Sequence, residues 1–467
     1  MSERLDAIII GTGQAGKPLA GAFAEAGWRT AIVERDRVGG TCVVRGCTPT
    51  KTMVASARVA YLARRAADYG VKTGAVDVDM ETVRARKRRI VDEWSAGSEK
   101  GMTRHDSLEL VKGDARLTGP NDVLVELEGG GERRLAAERI FLNTGARPAV
   151  PPIPGLDGVD FLDSTSVMEL DEVPGRLLVL GGGFIGLEFG QMFRRFGAEV
   201  TIVEQASRLA TREDEDVSEA LEAILAEDGI DILTGRRATK VEETADGRVR
   251  LSLEPAEGGG GPDGRDTIDG SHLLVAVGRR PNTDGLGLEA AGVETDERGH
   301  VRVNDRLETG VPGIWALGDV AGSAPFTHVA YDDYRVVRAN VLGDGGRTTR
   351  DRISTFTVFT DPQLGRVGWS EREARERGHD VRVGKIPMSR VARAIEVDET
   401  RGMMKAVVDA ETDQILGAAV LGIEGGEIAA VLQTAMMGNL PYTALRDGVL
   451  AHPTLAESLN NLFTALD

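Results

Sequence analysis

The stretch Asp6 to Gly16, read DAIIIGTGQAG, decides the fold. Asp6 to Ile10 is a short apolar run, as expected of a parallel strand buried on both faces. Gly11-Thr12-Gly13-Gln14-Ala15-Gly16 follows directly, then a helical stretch to Ala26 and a second strand, Thr30 to Val33, ending at Glu34. Strand, G-x-G-x-x-G, helix, strand and terminal acid form a dinucleotide-binding fingerprint in its structural context. Gly11 permits the tight turn, Gly13 lets a pyrophosphate approach the backbone, and Gly16 lets helix and strand pack closely. The helix N-terminus offers unpaired N–H groups and a partial positive charge to the phosphates. Glu34 is placed to accept hydrogen bonds from ribose hydroxyls.

The pattern recurs. Arg176 to Leu180 leads into Gly181-Gly182-Gly183-Phe184-Ile185-Gly186, a helix, and Val200 to Val203 ending at Glu204. In both copies the acid follows the first glycine by 23 positions (34 − 11 and 204 − 181). One such motif in a chain with 59 glycines is weak evidence, but two with the same spacing and bracketing strands are strong. Two sites imply two nucleotide ligands. Glu204 would repel a 2′-phosphate, which favours NADH at the second site. NADPH is the alternative, because Arg208 and Arg212 stand nearby in the sequence.

Composition narrows the class. A chain of 467 residues has room for about three domains. An aromatic content of 4% and a net charge of −18 argue against nucleic acid as a partner. No apolar run reaches the ~18 residues of a membrane span. Met1 to Asp6 lacks the pattern of a secretory signal, so a cytoplasmic, membrane-free protein is expected.

There are two cysteines, Cys42 and Cys47, too few for a disulfide framework. The six histidines lie too far away in sequence for a zinc site, so no metal is expected. The pair stands in Gly39-Gly40-Thr41-Cys42-Val43-Val44-Arg45-Gly46-Cys47-Thr48-Pro49-Thr50-Lys51. Pro49, with a helical pattern from Lys51 to Tyr69, puts Cys47 near a helix start. The helix N-terminus and Lys51 both favour thiolate over thiol. Five positions of separation let the two sulfurs meet if the helix start is distorted. The bland alternative is two inert buried thiols.

The motif GGTCxxxGCxPxK, set between two nucleotide folds, resembles the class I pyridine nucleotide-disulfide oxidoreductases, the family of dihydrolipoyl dehydrogenase, glutathione reductase and mercuric reductase. Thr144-Gly145-Ala146-Arg147-Pro148, Val277-Gly278-Arg279-Arg280-Pro281-Asn282, Gly313 to Asp319 and His452-Pro453-Thr454-Leu455-Ala456-Glu457 extend the likeness over essentially the whole chain. The resemblance implies an α/β fold with two Rossmann-like dinucleotide-binding domains and a C-terminal α+β dimerisation domain. An FAD-binding domain would take residues 1–150 and 271–345, an NAD(P)-binding domain 151–270, and the dimerisation domain 346–467. FAD and NADH would be held by Gly11, Gly13, Gly16, Glu34, Gly40, Thr41, Thr144, Gly145 and Asp319 together with Gly181, Gly183, Gly186, Glu204 and Gly278.

By the same resemblance, Cys42 exchanges with substrate and Cys47 faces the flavin as partners in a redox-active disulfide. Lys51 and Glu188 would form an ion pair. His452, oriented by Glu457, would be the general acid–base and would come from the second subunit of a homodimer. The implied substrate is a small disulfide or dithiol. Phe326 to Arg335 and Glu457 to Phe463 are similar to the mercuric-reductase-like branch that lacks C-terminal cysteines. Dihydrolipoyl dehydrogenase proper, a mercuric or copper ion reductase, and a low-turnover redox sensor stand as alternatives. In the last segment, strands Met404 to Val408 and Ile415 to Leu421 and a helix Glu427 to Met437 are expected. The glycine-rich stretch Glu254 to Gly270 reads as a flexible surface loop without function.

Overall fold

The computed structural model describes residues 3–256 and 264–466. Contacts within the chain divide it into two units. One comprises Met1–Thr52, Thr82–Ala149 and Gly278–Arg352; the other comprises Met53–Glu81, Val150–Val277 and Ile353–Asp467.

The first unit is built on a sheet whose central strands are parallel. Leu108–Gly119, Thr30–Glu34, Ala7–Ile10, Ile140–Leu142 and Ile314–Ala316 lie side by side in that order. Ile8 pairs with both Ala31 and Ile140, which makes Ala7–Ile10 an interior strand, and all four of its residues are buried. That is why the sequence shows a continuous apolar run here and no alternation. Helix α1 (Gly16–Glu25) covers one face through Leu19, Ala20 and Phe23, with Val336 and Val337 of the helix Thr327–Leu342 in the same core. Phe23 is fully buried between Trp28 and Phe141, with ring centroids 4.7 and 5.0 Å away. Burying such a ring contributes about 1.5–3 kcal/mol.

After Thr30–Glu34 the chain forms α2 (Gly40–Val44), then α3 (Cys47–Arg64), then α4 (Met80–Met102). The helical pattern read as far as Tyr69 stops at Arg64 and gives way to a 3-10 turn, Ala66–Tyr69. The guanidinium of Arg64 turns to the carbonyl of Arg195, and that of Arg65 to Glu399 and Asp398. These two side chains therefore serve tertiary partners where the helix ends.

The second unit contains the repeat of the nucleotide fold. Asp231–Leu233, Glu199–Val203, Arg176–Leu180 and His272–Val275 form a parallel sheet, with α5 (Phe184–Phe196) beside it. Arg236–Glu243, Val249–Pro255 and Thr267–Gly270 form an antiparallel sheet of three strands. The stretch expected to be loop from Glu254 to Gly270 is thus strand at both ends, because Leu253 and Ile268 are buried in the core under this sheet. Residues 257–263 lie outside the described residues.

The C-terminal part of the second unit is a five-stranded antiparallel sheet in the order Thr355–Val358, Gln363–Gly368, Ile415–Gly422, Met403–Asp409, Val381–Pro387. The helix Gly425–Met437 packs Ile428 and Leu432 against Val367, Val420 and Met404. Within this unit α5 is tied to the segment around Asp361. Gln191 donates to the Asp361 carbonyl at 2.8 Å and accepts from its N–H at 2.7 Å. Arg195 meets Asp361 and Asp228 in a buried ionic cluster. Breaking one partner of such a cluster typically costs about 3–5 kcal/mol. Nearby, a cavity of about 600 Å³ is lined by Tyr61 and by arginines that include Arg65, Arg195 and Arg401. Those three are each paired with carboxylates, so the cavity wall holds ion pairs and no excess of positive charge at them.

Candidate functional site

The cysteine pair is placed by the first fingerprint. Gly40 has φ +65°, and a Cβ there would stand 2.6 Å from the Cα of Gly13. Only glycine allows both that conformation and that approach, so α2 lies directly on the glycine turn. Cys42 sits in α2, and the chain breaks helix at Arg45 and Gly46 before Cys47 opens α3. The distortion expected at the helix start is therefore a division into two helical segments. The Arg45 N–H reaches the Thr41 carbonyl at 2.9 Å, which closes the first segment, and the Thr50 N–H reaches the Gly46 carbonyl at 3.0 Å, which opens the second.

Both cysteines are free thiols, Cys42 half-buried and Cys47 exposed. The two side chains are hydrogen-bonded to each other, and the Cys47 sulfur lies 3.3 Å from Thr327 Oγ1. The Cys42 thiol is pushed up, above all by this hydrogen bond to Cys47, then by burial and the Cys47 charge; Thr327 and the Lys17 ammonium oppose the shift. Thr327 was not singled out by sequence reasoning as a partner of the cysteines, since 280 residues separate it from Cys47.

The nucleotide cradle beside the cysteines is built from Asn143, which no motif had marked. Its Oδ1 accepts from Gly16 N–H at 2.9 Å and its Nδ2 donates to the Leu317 carbonyl at 2.9 Å, all buried. A Cβ on Gly11 would overlap the Asn143 carbonyl oxygen, and one on Gly13 would stand 2.7 Å from Asn143 Oδ1. The signal available in the sequence was its position, immediately before the Thr144-Gly145 motif. Glu34 Oε2 accepts from Thr12 N–H at 3.0 Å and Thr12 Oγ1 at 2.5 Å, while Oε1 accepts from Asp36 N–H at 3.0 Å. The acid is thereby locked at the strand end before any ribose arrives.

Thr144 and Gly145 are crossed by the returning chain. Asn282 N–H donates to the Gly145 carbonyl at 2.9 Å, its Nδ2 to the Thr144 carbonyl at 2.8 Å, and Thr144 Oγ1 to the Asn282 carbonyl at 2.8 Å. Gly278 accepts from Ala149 N–H at 3.0 Å at the same crossing. Asp319 is raised by burial, against the Arg279 guanidinium 3.8 Å away. Its neighbour Gly318 donates its N–H to Asp333 at 2.7 Å, and Asp333 also holds Ser323 Oγ at 2.8 Å. A cradle that a Cβ would fill, acceptor oxygens on Glu34 and Asp319, and a helix N-terminus suit the phosphates and hydroxyls of FAD.

The second fingerprint has the same turn with a different filling. A Cβ on Gly181 would stand 2.6 Å from the Ala276 carbonyl oxygen, but one on Gly183 would meet nothing within 4 Å. Glu204 Oε2 accepts from Gly182 N–H at 2.6 Å and Oε1 from Ala206 N–H at 2.8 Å. Gly186 packs against the Gly181 carbonyl, as Gly16 does against Gly11.

Of the remaining residues, Lys51 lies on α3 in the first unit, one turn after Cys47. Glu188 is buried on α5 in the second unit, where its Oε1 accepts from Phe359 N–H at 2.8 Å. His452 and Glu457 also belong to the second unit. His452 Nδ1 stands 2.8 and 3.1 Å from the two Glu457 oxygens, and the imidazole side chain is 71% exposed. A carboxylate on Nδ1 sets the tautomer and presents Nε2 outward. Among the described residues no cluster of His, Cys, Asp or Glu could hold a metal ion, and no helix is long and apolar enough to cross a membrane.

Two family models match the chain. Residues 5–333 match the pyridine nucleotide-disulphide oxidoreductase family and residues 354–463 its dimerisation domain. The chain belongs to this family. Members are FAD-dependent oxidoreductases that use NAD(P)H, and the α/β fold with two nucleotide folds is the family's own. A probable pyridine nucleotide-disulfide oxidoreductase, RclA, from Escherichia coli is 38% identical over 99% of both chains. A dihydrolipoyl dehydrogenase from Thermus scotoductus is 37% identical over 99% of this chain and 97% of its own. A mercuric reductase from Lysinibacillus sphaericus is 34% identical over 98% of this chain and 82% of its own. The structure of a Cu(II) complex of the HOCl-induced flavoprotein disulfide reductase RclA from Escherichia coli superimposes with a TM-score of 0.89 at 37% identity, covering 99% of each chain.

Proposed function

We propose that this chain is an FAD-containing NAD(P)H reductase of a small disulfide, working as a homodimer, with Cys42 and Cys47 as its redox pair. The observation that carries the reading is the hydrogen-bonded cysteine pair mounted on the first glycine turn through the contact of Gly40 with Gly13. FAD, when bound, supplies the two-electron relay between nicotinamide and sulfur.

The chain's own residues account for the rest. Cys42 as thiolate attacks one sulfur of the substrate disulfide, forming a mixed disulfide and expelling the other sulfur as thiolate. The outgoing thiolate needs a proton, and His452 of the partner subunit, held by Glu457, is the group suited to give it. Cys47 then attacks Cys42, releasing the second thiol and leaving the pair oxidised. The balance is NAD(P)H, one proton and one disulfide converted to NAD(P)+ and two thiols.

NADH and NADPH oxidation with lipoamide, glutathione disulfide, other low-molecular-weight disulfides, Hg(II) and Cu(II) tests the reading. At least one disulfide should support turnover, and Cys42→Ser should lower that rate about a thousandfold or more without loss of FAD. Metal ions as the sole effective oxidants would replace this reading with metal-ion reduction. Slow oxygen consumption as the sole activity would replace it with a sensor.

A further inference from the structure

The cavity of about 600 Å³ in the second unit plays no part in the reading above. Five arginines line it: Arg64, Arg65, Arg194, Arg195 and Arg401. Three of them have carboxylate partners. Arg65 meets Asp398 and Glu399, Arg195 meets Asp228 and Asp361, and Arg401 meets Asp228 and Glu399. The other two reach only main-chain carbonyls among the described residues. Arg64 donates to the Arg195 carbonyl. Arg194 donates from Nε to the Asp228 carbonyl at 2.9 Å and from Nη1 to the Ala198 carbonyl at 3.4 Å. A guanidinium has five N–H donors, so both keep donors that no residue of the chain takes up. The one lining carboxylate outside these ion pairs is Glu227, which is exposed. The C-terminal end of α5, where Arg64 is tethered, adds only about half a negative charge.

The wall is built before any ligand arrives. The Tyr61 ring carries the guanidinium carbon of Arg195 at 3.8 Å, of Arg65 at 5.1 Å and of Arg401 at 5.4 Å. Gly229 has φ +84°, and a Cβ there would stand 2.8 Å from Arg194 Nη2, so glycine makes room for this guanidinium. Arg195 is 5% exposed, and its Nε–H has no hydrogen-bond partner among the described residues. A buried donor left in this way calls for an explanation, and an ion in the adjoining cavity is one. The volume falls in the range of small-molecule pockets. Guanidinium forks match the oxygens of phosphate and carboxylate groups.

We propose that this cavity binds a small molecule carrying several phosphate or carboxylate oxyanions, held by the forks of Arg64 and Arg194. The site is made wholly within the second unit and is independent of the reading of the cysteines.

The test is calorimetric titration of the FAD-loaded protein, saturated with NAD+ and at constant ionic strength, with inorganic pyrophosphate in one arm and citrate in the other. At least one probe should bind once per chain with a Kd below about 1 mM, and the tighter of the two names the oxyanion. Arg64→Gln and Arg194→Gln should each weaken that binding about tenfold or more, and the double variant should abolish it. Arg64→Lys keeps the charge and a donor for the Arg195 carbonyl, so it should lose less than Arg64→Gln. It also keeps the test open if the glutamine variant folds poorly, which the thermal midpoint of each variant reports. Absence of saturable binding by both probes would overturn the proposal. So would binding that neither glutamine substitution moves, or a signal seen only without NAD+, which would place the probe in the second glycine turn.

Discussion

The two glycine turns of this protein share their backbone plan and differ in what fills them. In the first, the carbonyl that Gly11 approaches belongs to Asn143, whose side chain reaches back to Gly16 N–H and crowds Gly13. In the second, the carbonyl that Gly181 approaches belongs to Ala276, whose methyl group leaves Gly183 open. The first turn also carries α2 on Gly13, and with it the cysteines. A closed, internally hydrogen-bonded cradle suits a nucleotide that stays bound through many turnovers. An open one suits a nucleotide that must enter and leave in each cycle. The same motif is therefore closed in one copy and open in the other, and the difference lies at one residue of the neighbouring strand connection, Asn143 or Ala276.

The sharpest way to break this comparison is to add a methyl group to each turn. Gly13→Ala should yield protein with less than about a tenth of its FAD, since the new Cβ meets Asn143 Oδ1 at 2.7 Å and overlap of this kind costs about 1–3 kcal/mol. Gly183→Ala should keep its FAD and raise the KM for NADH less than tenfold. Equal flavin loss in both variants would show that the two cradles are not built differently.

Asn143→Ala probes the closed cradle alone. It leaves Gly16 N–H and the Leu317 carbonyl unpaired in the interior, at about 1–3 kcal/mol. The thermal midpoint of the flavin-free protein should fall by about 5 °C. An unchanged midpoint would mean that the amide does not hold the turn together.

Ala276→Asn asks whether the second cradle can be closed in the same way. The KM for NADH should rise about tenfold, equivalent to ~1.4 kcal/mol, with FAD content and folding unaffected. A steady-state titration with NADH decides it, and an unchanged KM would sever the link between this position and an open Gly183. The smallest effect is expected at the acid. Glu204→Ala frees the Gly182 and Ala206 N–H groups and removes a charge that repels a 2′-phosphate, so the ratio of kcat/KM for NADH over NADPH should fall severalfold to about tenfold. A ratio that does not move would assign nucleotide choice to other residues.

Much of the architecture was legible because it follows from local chemistry. A strand buried on both faces must be apolar, and the glycine turn and terminal acid stand at invariant spacing within one βαβ unit, so Asp6–Glu34 and Arg176–Glu204 announce themselves. The cysteine motif was legible for the same reason, with Gly40 and Cys42 close in sequence to the turn that they adjoin. The C-terminal strands and helix were found within two residues of their ends, since each is a continuous apolar element. The ends of the Glu254–Gly270 stretch were misread because its glycines and charges hide the two short strands that Leu253 and Ile268 anchor in a core. The end of α3 was missed because Arg64 and Arg65 are good helix formers taken up by tertiary partners.

What the sequence by itself determined is the pair of nucleotide folds, the redox-capable cysteines and the family to which they point. All rest on residues within one supersecondary unit, where spacing along the chain is distance in space. What only the tertiary structure decided is the company those units keep: Asn143 in one cradle and Ala276 in the other, Thr327 at Cys47, Ser98 at Lys17, Phe359 at Glu188. These partners meet through the stacking of strands and helices far apart in the chain, and no local spacing encodes which side chain will arrive there.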